Sequence, residues 1–165
     1  MSEAAHKAGP SVVHGIFTIE RTLPHPPERV YAAWSDPKAK QAWFSAPKGE
    51  WTAIEREFDF RVGGRERLKG RWKSGMVTHF DAHYLDIVPL KRVVYSYNMH
   101  VDERKISVSL ATIQIVPATT GGKPGTRMIV TEQGAFLDGY EDKGSREHGT
   151  NALMDALVRS LDGKR

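Results

Sequence analysis

From Trp51 to Leu137 the apolar positions recur at every second residue, and from there to Leu161 they recur at helical spacing. Alternation marks strands with one covered face, and a 3.6-residue recurrence marks a helix with one covered stripe. The change of period predicts a run of antiparallel strands followed by one long helix that covers their apolar face. Ahead of this run, Ile16 to Leu23 also alternates, with Phe17, Ile19 and Leu23 on one side and Thr18 and Glu20 on the other. The prolines of PHPPERVYAAWSDP stop that strand. Pro27 suits a helix first turn, and Val30, Ala33 and Trp34 then fall on one helical stripe. Asp36-Pro37 ends this helix and opens a short second one, KAKQAWF, which finishes on Trp43 and Phe44.

Residues 54–73 read as a hairpin. Phe58, Phe60 and Val62 share one face against Glu55, Glu57, Asp59 and Arg61; beyond Gly63-Gly64, Leu68, Gly70 and Trp72 lie against Arg65, Arg67, Lys69, Arg71 and Lys73. A three-residue loop, Val62-Gly63-Gly64, with glycine supplying the positive φ, sets Asp59 opposite Arg67, Glu57 opposite Lys69 and Glu55 opposite Arg71. Each such pair contributes only ~0.2 to 1 kcal/mol, but together they oppose a one-residue slip. The basic row therefore reads as half of a charge ladder rather than a phosphate-binding patch.

The next strand, Met76 to Val88, sets Phe80, Ala82 and Tyr84 against His79, Asp81 and His83. Lys91 to Val101 places Val93, Tyr95, Tyr97, Met99 and Val101 together. From Arg104 to Val116 the apolar parity changes, from Val108 and Leu110 to Ile113 and Ile115, which predicts a bulge or a strand covered on both faces. TTGGKPG is a turn, and Thr126 to Phe136 is the last strand, with Met128, Val130 and Glu132 on one face. The final helix starts near Asp142 or Ser145, either of which can cap it, and carries Leu153, Leu157 and Leu161 in one row with Met154 and Val158 beside it. Gly149 within it marks a close approach to the sheet or a frayed first turn.

The 165 residues suffice for one core, so a tail over residues 1–11 and a single domain over residues 12–165 are expected. Cysteine is absent, which removes disulfides and thiolate chemistry and fits a reducing compartment. No apolar run reaches the ~18 to 20 residues of a membrane span, and the N-terminus lacks a signal-peptide apolar core. A cytoplasmic protein is expected, with a homodimer as its assembly because dimers are the commonest arrangement of small domains. The net charge of +4 is mild, and no basic cluster is interleaved with aromatics, which argues against nucleic-acid binding.

The order strand, two helices, six strands, helix, together with PPERVYAAWSDP, FRVGG and REHGTNALMDALVRSL, resembles the SRPBCC superfamily, whose fold is START-like and birch-pollen-allergen-like. The closest resemblance is to its bacterial stand-alone branch, related to the C-terminal domain of the heat-shock chaperone ATPase activator, over Ile16 to Leu161. The resemblance implies an α+β helix-grip fold: a seven-stranded antiparallel sheet wrapped around the long C-terminal helix, two short helices after the first strand, and an apolar cavity between sheet and helix. That family includes lipid carriers, cyclases, hormone receptors and chaperone activators, so the fold by itself assigns no activity.

Candidate chemistry is sparse. There is no GxSxG, HExxH, Walker loop or GxGxxG after a strand, and no Rieske-type or non-haem iron pattern, so neither a metal nor a cofactor is expected. His79 and His83 sit four residues apart on a strand, ~13 Å along the chain, too far to share a metal, and read as solvated surface histidines. Glu132 shares its face with Met128 and Val130; a carboxylate entering an apolar cavity is suited to acid–base work or to orienting a polar ligand group. The leading expectation is a binding protein for a small apolar or amphipathic molecule, its wall built by Trp43, Phe44, Phe58, Phe60, Trp72, Tyr95, Tyr97, Met128, Glu132 and Met154. A cavity with room for only a few waters excludes it. The alternatives are a cyclase or hydrolase-like enzyme using Glu132 and a tyrosine, for which Glu132→Gln abolishes turnover, and a chaperone ATPase regulator. The last ranks lowest, because the chain leaves no room for the eukaryotic activator's additional N-terminal domain.

Overall fold

A computed structural model describes residues 9–164, so the first eight residues of the expected tail lie outside the described residues. The chain runs β1 (Val12–Leu23), α1 (Pro27–Ser35), α2 (Pro37–Trp43), β2 (Trp51–Phe58), β3 (Arg65–Trp72), β4 (Val77–Val88), β5 (Arg92–Val101), β6 (Arg104–Thr120), β7 (Lys123–Leu137) and α3 (Lys143–Leu161). The strands form one antiparallel sheet in the order β1-β7-β6-β5-β4-β3-β2. β1 and β2 are thus its two edges, and α1 and α2 carry the chain from one to the other. This is the helix-grip-like α+β fold that the family resemblance implied, with the strand run and covering helix predicted from the change of period and the two short helices after β1.

Local chemistry sets the boundaries. Pro27 opens α1, the Asp36 carboxylate accepts the Ala39 N–H (2.9 Å) to cap α2, and the Asp142 carboxylate accepts the Ser145 N–H (2.8 Å) to cap α3. Met154, Leu157 and Leu161 of α3 close on Phe17, Ile19 and Leu23 of β1, Val30 and Trp34 of α1, and Met128 and Val130 of β7. Each large side chain so buried stabilises the fold by about 1.5 to 3 kcal/mol. A second cluster of Leu68, Phe80, Ala82, Tyr97 and Ala111 lies on the inner face of β3 to β6.

Several sequence expectations are corrected. The β2–β3 hairpin keeps its faces but slides by two residues: Glu57 is opposite Arg67 and Glu55 is opposite Lys69, while Thr52 is opposite Arg71. The loop is therefore 59–64 rather than Val62-Gly63-Gly64, and Asp59 and Phe60 belong to it. Phe60 turns inward onto Tyr84 and Tyr31, with ring centroids 5.0 and 6.0 Å away, while Val62 is exposed. Gly63 supplies a φ of 85°, and a Cβ on Gly64 would lie 2.1 Å from the Asp59 carbonyl oxygen. The parity change in β6 is not a bulge at its midpoint. Its inner face runs continuously through Ser107, Ser109, Ala111, Ile113 and Ile115, all buried, so two inward serines broke the apolar pattern. The register irregularity lies instead at Ile106, opposite the Met99/His100 step of β5.

β6 and β7 run past their predicted ends to a two-residue turn at Gly121-Gly122, where both φ values are positive (56° and 77°). Pro117 is tolerated there because β5 pairs with β6 no further than Gln114. Ser11 is tied down rather than loose: its N–H donates to Asp138 Oδ1 (2.9 Å) and its carbonyl accepts the Asp138 N–H (2.9 Å). On α3 the fully covered row is Arg146, Thr150, Met154, Leu157 and Leu161; Leu153 and Val158 flank it half-buried. Gly149 makes no close approach to the sheet, since a Cβ there would meet nothing within 4 Å.

Candidate functional site

Between the inner sheet face, the segment that follows α2, and α3 lies a half-open cavity of about 1220 Å³. A water in bulk liquid takes up about 30 Å³, so this space admits a ligand of many heavy atoms. Of the residues predicted to build its wall, Trp43, Phe44, Trp72, Tyr95, Tyr97, Glu132 and Met154 line it. Phe58, Phe60 and Met128 do not. The two phenylalanines stack on each other at 5.9 Å and cover Tyr84, and Met128 is fully buried in the core cluster that holds Val30 and Leu157. The wall gains Trp51, Leu68, Phe80 and Met99. Trp51 lies flat across Gly70, where any Cβ would sit 1.9 Å from its ring, so glycine at this position is what admits the indole.

Two buried polar groups stand in this apolar wall. In the first, Glu132 is 4% exposed; Thr150 Oγ1 donates to its Oε2 at 2.6 Å and the Tyr97 hydroxyl donates to its Oε1. The same hydroxyl accepts from Arg146 Nη1 at 2.8 Å. Arg146 also donates to Ser107 Oγ (2.7 Å) and makes a two-pronged pair with Glu141, so its guanidinium is held in plane from several sides. Burial works against the Arg146 cation, but Tyr97 and Glu141 outweigh it and keep the group charged. Burial, then the Glu132 charge, raises the Tyr97 hydroxyl, which therefore remains a donor. A carboxylate offers about four acceptor positions, so Glu132 retains capacity for a ligand donor after serving Tyr97 and Thr150.

The second group centres on Lys40, 4% exposed, whose Nζ donates to Glu66 Oε1 at 3.2 Å; the Tyr84 hydroxyl donates to the same oxygen at 2.5 Å. Nζ sits over the rings of Phe44, Trp34 and Trp43 at 4.8, 5.0 and 5.1 Å. Each such ring favours the cation by about 0.5 to 2 kcal/mol. Withdrawing an ion from water costs several kcal/mol, and here burial prevails: it lowers the Lys40 ammonium from the usual lysine range, against the opposing pull of Glu66.

Lys40, Glu66, Arg146 and Thr150 escaped the sequence reading, although each sits in a legible frame. Lys40 precedes Trp43 and Phe44 by three and four residues on one helix face, and Glu66 precedes Leu68 by two on one strand face. Arg146 and Thr150 continue the Met154 row by steps of four. His83 is exposed as expected, whereas His79 is half-buried beside His100, ring centroids 5.8 Å apart. Burial, then Arg67, lowers the His79 imidazole below its ordinary value. Among the described residues no group of three or more metal-ligating side chains converges, and no helix is long and apolar enough to cross a membrane.

The family described as Activator of Hsp90 ATPase homolog 1-like protein matches residues 24–162. An uncharacterised protein from Rhizobium leguminosarum is 42% identical over 94% of this chain and 99% of its own, with a TM-score of 0.84. A protein from Rhizobium loti is 42% identical over 90% of this chain and 97% of its own, at a TM-score of 0.80. The solution structure of an AHSA1-like protein from Aeromonas hydrophila shares the fold, with 18% identity over 90% and 93% of the two chains and a TM-score of 0.61. No curated protein matches the chain.

Proposed function

Since the chain belongs to the family of Activator of Hsp90 ATPase homolog 1-like proteins, we propose that it binds a small amphipathic molecule in the cavity between sheet and C-terminal helix. The observation that carries this reading is the cavity of about 1220 Å³, aromatic around its wall and polar at Glu132 and Lys40. Ligand pockets commonly enclose about 300 to 1,000 Å³, mostly apolar with a few polar groups that fix orientation. The aromatic rings take the apolar body. Glu132, held by Tyr97 and Thr150, accepts a hydrogen bond from a hydroxyl or amine on the ligand.

An apolar fluorescent dye such as anilinonaphthalene sulfonate tests it, titrated into the wild type and into Gly149→Trp. Gly149 lines the cavity with open space beside its Cα, so an indole there occupies ligand volume without a backbone clash. The expected result is saturable binding that weakens by about tenfold, or 1.4 kcal/mol, in the filled variant. Equal binding by both proteins places the dye elsewhere and removes the reading.

A further inference from the structure

A group in the cavity wall is reactive as well as polar. Lys40 stands in the wall, its amine almost wholly withdrawn from solvent, and among the described residues its one hydrogen-bond partner is Glu66 Oε1 at 3.2 Å. An ammonium has three N–H groups, so two are left to face rings. Trp34, whose ring lies 5.0 Å from Nζ, has its Nε1 buried with no hydrogen-bond acceptor among the described residues. A cation held only for stability is better served by full hydrogen bonding than by an aromatic recess that opens on the cavity. A primary amine is a strong nucleophile once it sheds its proton, and enzymes prepare such amines by desolvation. The lowering of the Lys40 ammonium by burial is in the required direction.

We propose that Lys40 is an amine site for carbonyl compounds, and that the cavity takes an apolar aldehyde or ketone and holds it as an imine on Nζ. The proposal rests on the reading of the cavity as a ligand site and names the ligand's class. Glu66 takes a proton from the ammonium across the 3.2 Å contact. The free nitrogen lone pair then bonds to the carbonyl carbon while the carbonyl π pair moves to oxygen, which becomes a hydroxyl as the nitrogen gives up a proton. Glu66 returns its proton to that hydroxyl, water leaves, and the nitrogen pair closes the C=N bond. The ammonium and the carbonyl thus become a protonated imine, which keeps the last N–H, and one water, with Glu66 again a carboxylate and with no oxidant or reductant. Glu66 is within reach for both transfers. Tyr84, fixed on the same carboxylate oxygen at 2.5 Å, is its positioning residue.

The test is reductive trapping. The protein is incubated at neutral pH with 2-naphthaldehyde and cyanoborohydride and mapped by peptide mass spectrometry; binding of 2-naphthalenemethanol, which lacks the carbonyl, is followed in parallel by tryptophan quenching. The cavity concentrates the aldehyde beside one amine, so the adduct at Lys40 is expected to exceed that at any exposed lysine by about tenfold or more. Binding of the alcohol with no preference for Lys40 in the map overturns the imine proposal while leaving the ligand reading standing. Absence of binding by the alcohol, with labelling spread over exposed lysines, overturns both. Lys40→Met alone strands a buried carboxylate, so the control is Lys40→Met/Glu66→Gln, which is expected to lose the cavity adduct. The wild-type map remains decisive even if that control fails to fold.

Discussion

Tyr97 and Tyr95 both point to the inner face of β5, and the structure separates them sharply. The Tyr97 hydroxyl bridges Arg146 Nη1 and Glu132 Oε1, whereas the Tyr95 hydroxyl makes no hydrogen bond among the described residues. Tyr97→Phe therefore removes a donor from a carboxylate that is 4% exposed and an acceptor from a guanidinium that is 8% exposed. A hydrogen bond to a charged partner contributes about 1.5 to 3 kcal/mol, and leaving such a group unsatisfied costs a similar amount. Thr150 still serves Oε2, and Arg146 Nη1 keeps a long contact of 3.4 Å to Ser109. With those contacts retained, and with water able to enter from the cavity, the expected loss is about 2 to 4 kcal/mol. For a slope of about 2 kcal/mol/M this lowers the urea midpoint by about 1 to 2 M. Tyr95→Phe shifts it by no more than about 0.5 kcal/mol, as is usual away from such networks. Urea titrations followed by circular dichroism and by fluorescence decide the matter. Equal midpoints for the two variants refute the assignment of the Arg146–Tyr97–Glu132 chain as a structural network.

Other consequences are as direct. Gly149 is helical with free space at its Cβ, so Gly149→Ala raises stability by about 0.5 to 1 kcal/mol in the same titration. Gly70→Ala drives a methyl into the Trp51 indole, and overpacking of that kind costs about 1 to 3 kcal/mol; the Trp51 ring is expected to leave the wall, with a red shift in fluorescence. His79 has a folded pKa below the unfolded value of about 6.5, so the unfolded chain takes up its proton first as pH falls. Its contribution to stability is therefore level above that pH and is lost progressively below it, until the folded imidazole also protonates. An NMR titration of the His79 ring is expected to show a midpoint below that of a free histidine, and a midpoint at or above it removes the argument.

The architecture was legible because period and punctuation agree. The alternation of Phe17, Ile19 and Leu23, the helix boundaries at Asp36-Pro37 and Asp142, and the stripe of Leu153, Leu157 and Leu161 with Met154 and Val158 beside it each carry their own physical signal, although the structure buries Met154 more fully than Leu153. Register was less legible. The charge ladder permits a two-residue slide without changing faces, and what selects the observed pairing is Phe60 turning inward onto Tyr84, a tertiary contact. The site was half legible for the same reason. Reading apolar residues as inward found Trp43, Phe44, Tyr95 and Tyr97, but it passed over Lys40, Glu66, Ser107 and Arg146, which occupy inward positions as hydrogen-bonded pairs, Lys40 with Glu66 and Arg146 with Ser107. Conversely, Phe58, Phe60 and Met128 face inward yet belong to the core, because α1 and the hairpin loop cover that part of the sheet. Which inward residues meet a cavity and which meet a helix depends on how far the covering elements reach.

The ligand reading is tested most directly by native mass spectrometry of the wild type and Gly149→Trp, each purified from the native host without detergent. A small molecule retained by the wild type and absent from the filled variant is the predicted result. A bare wild-type mass, with no apolar probe retained on addition, contradicts it.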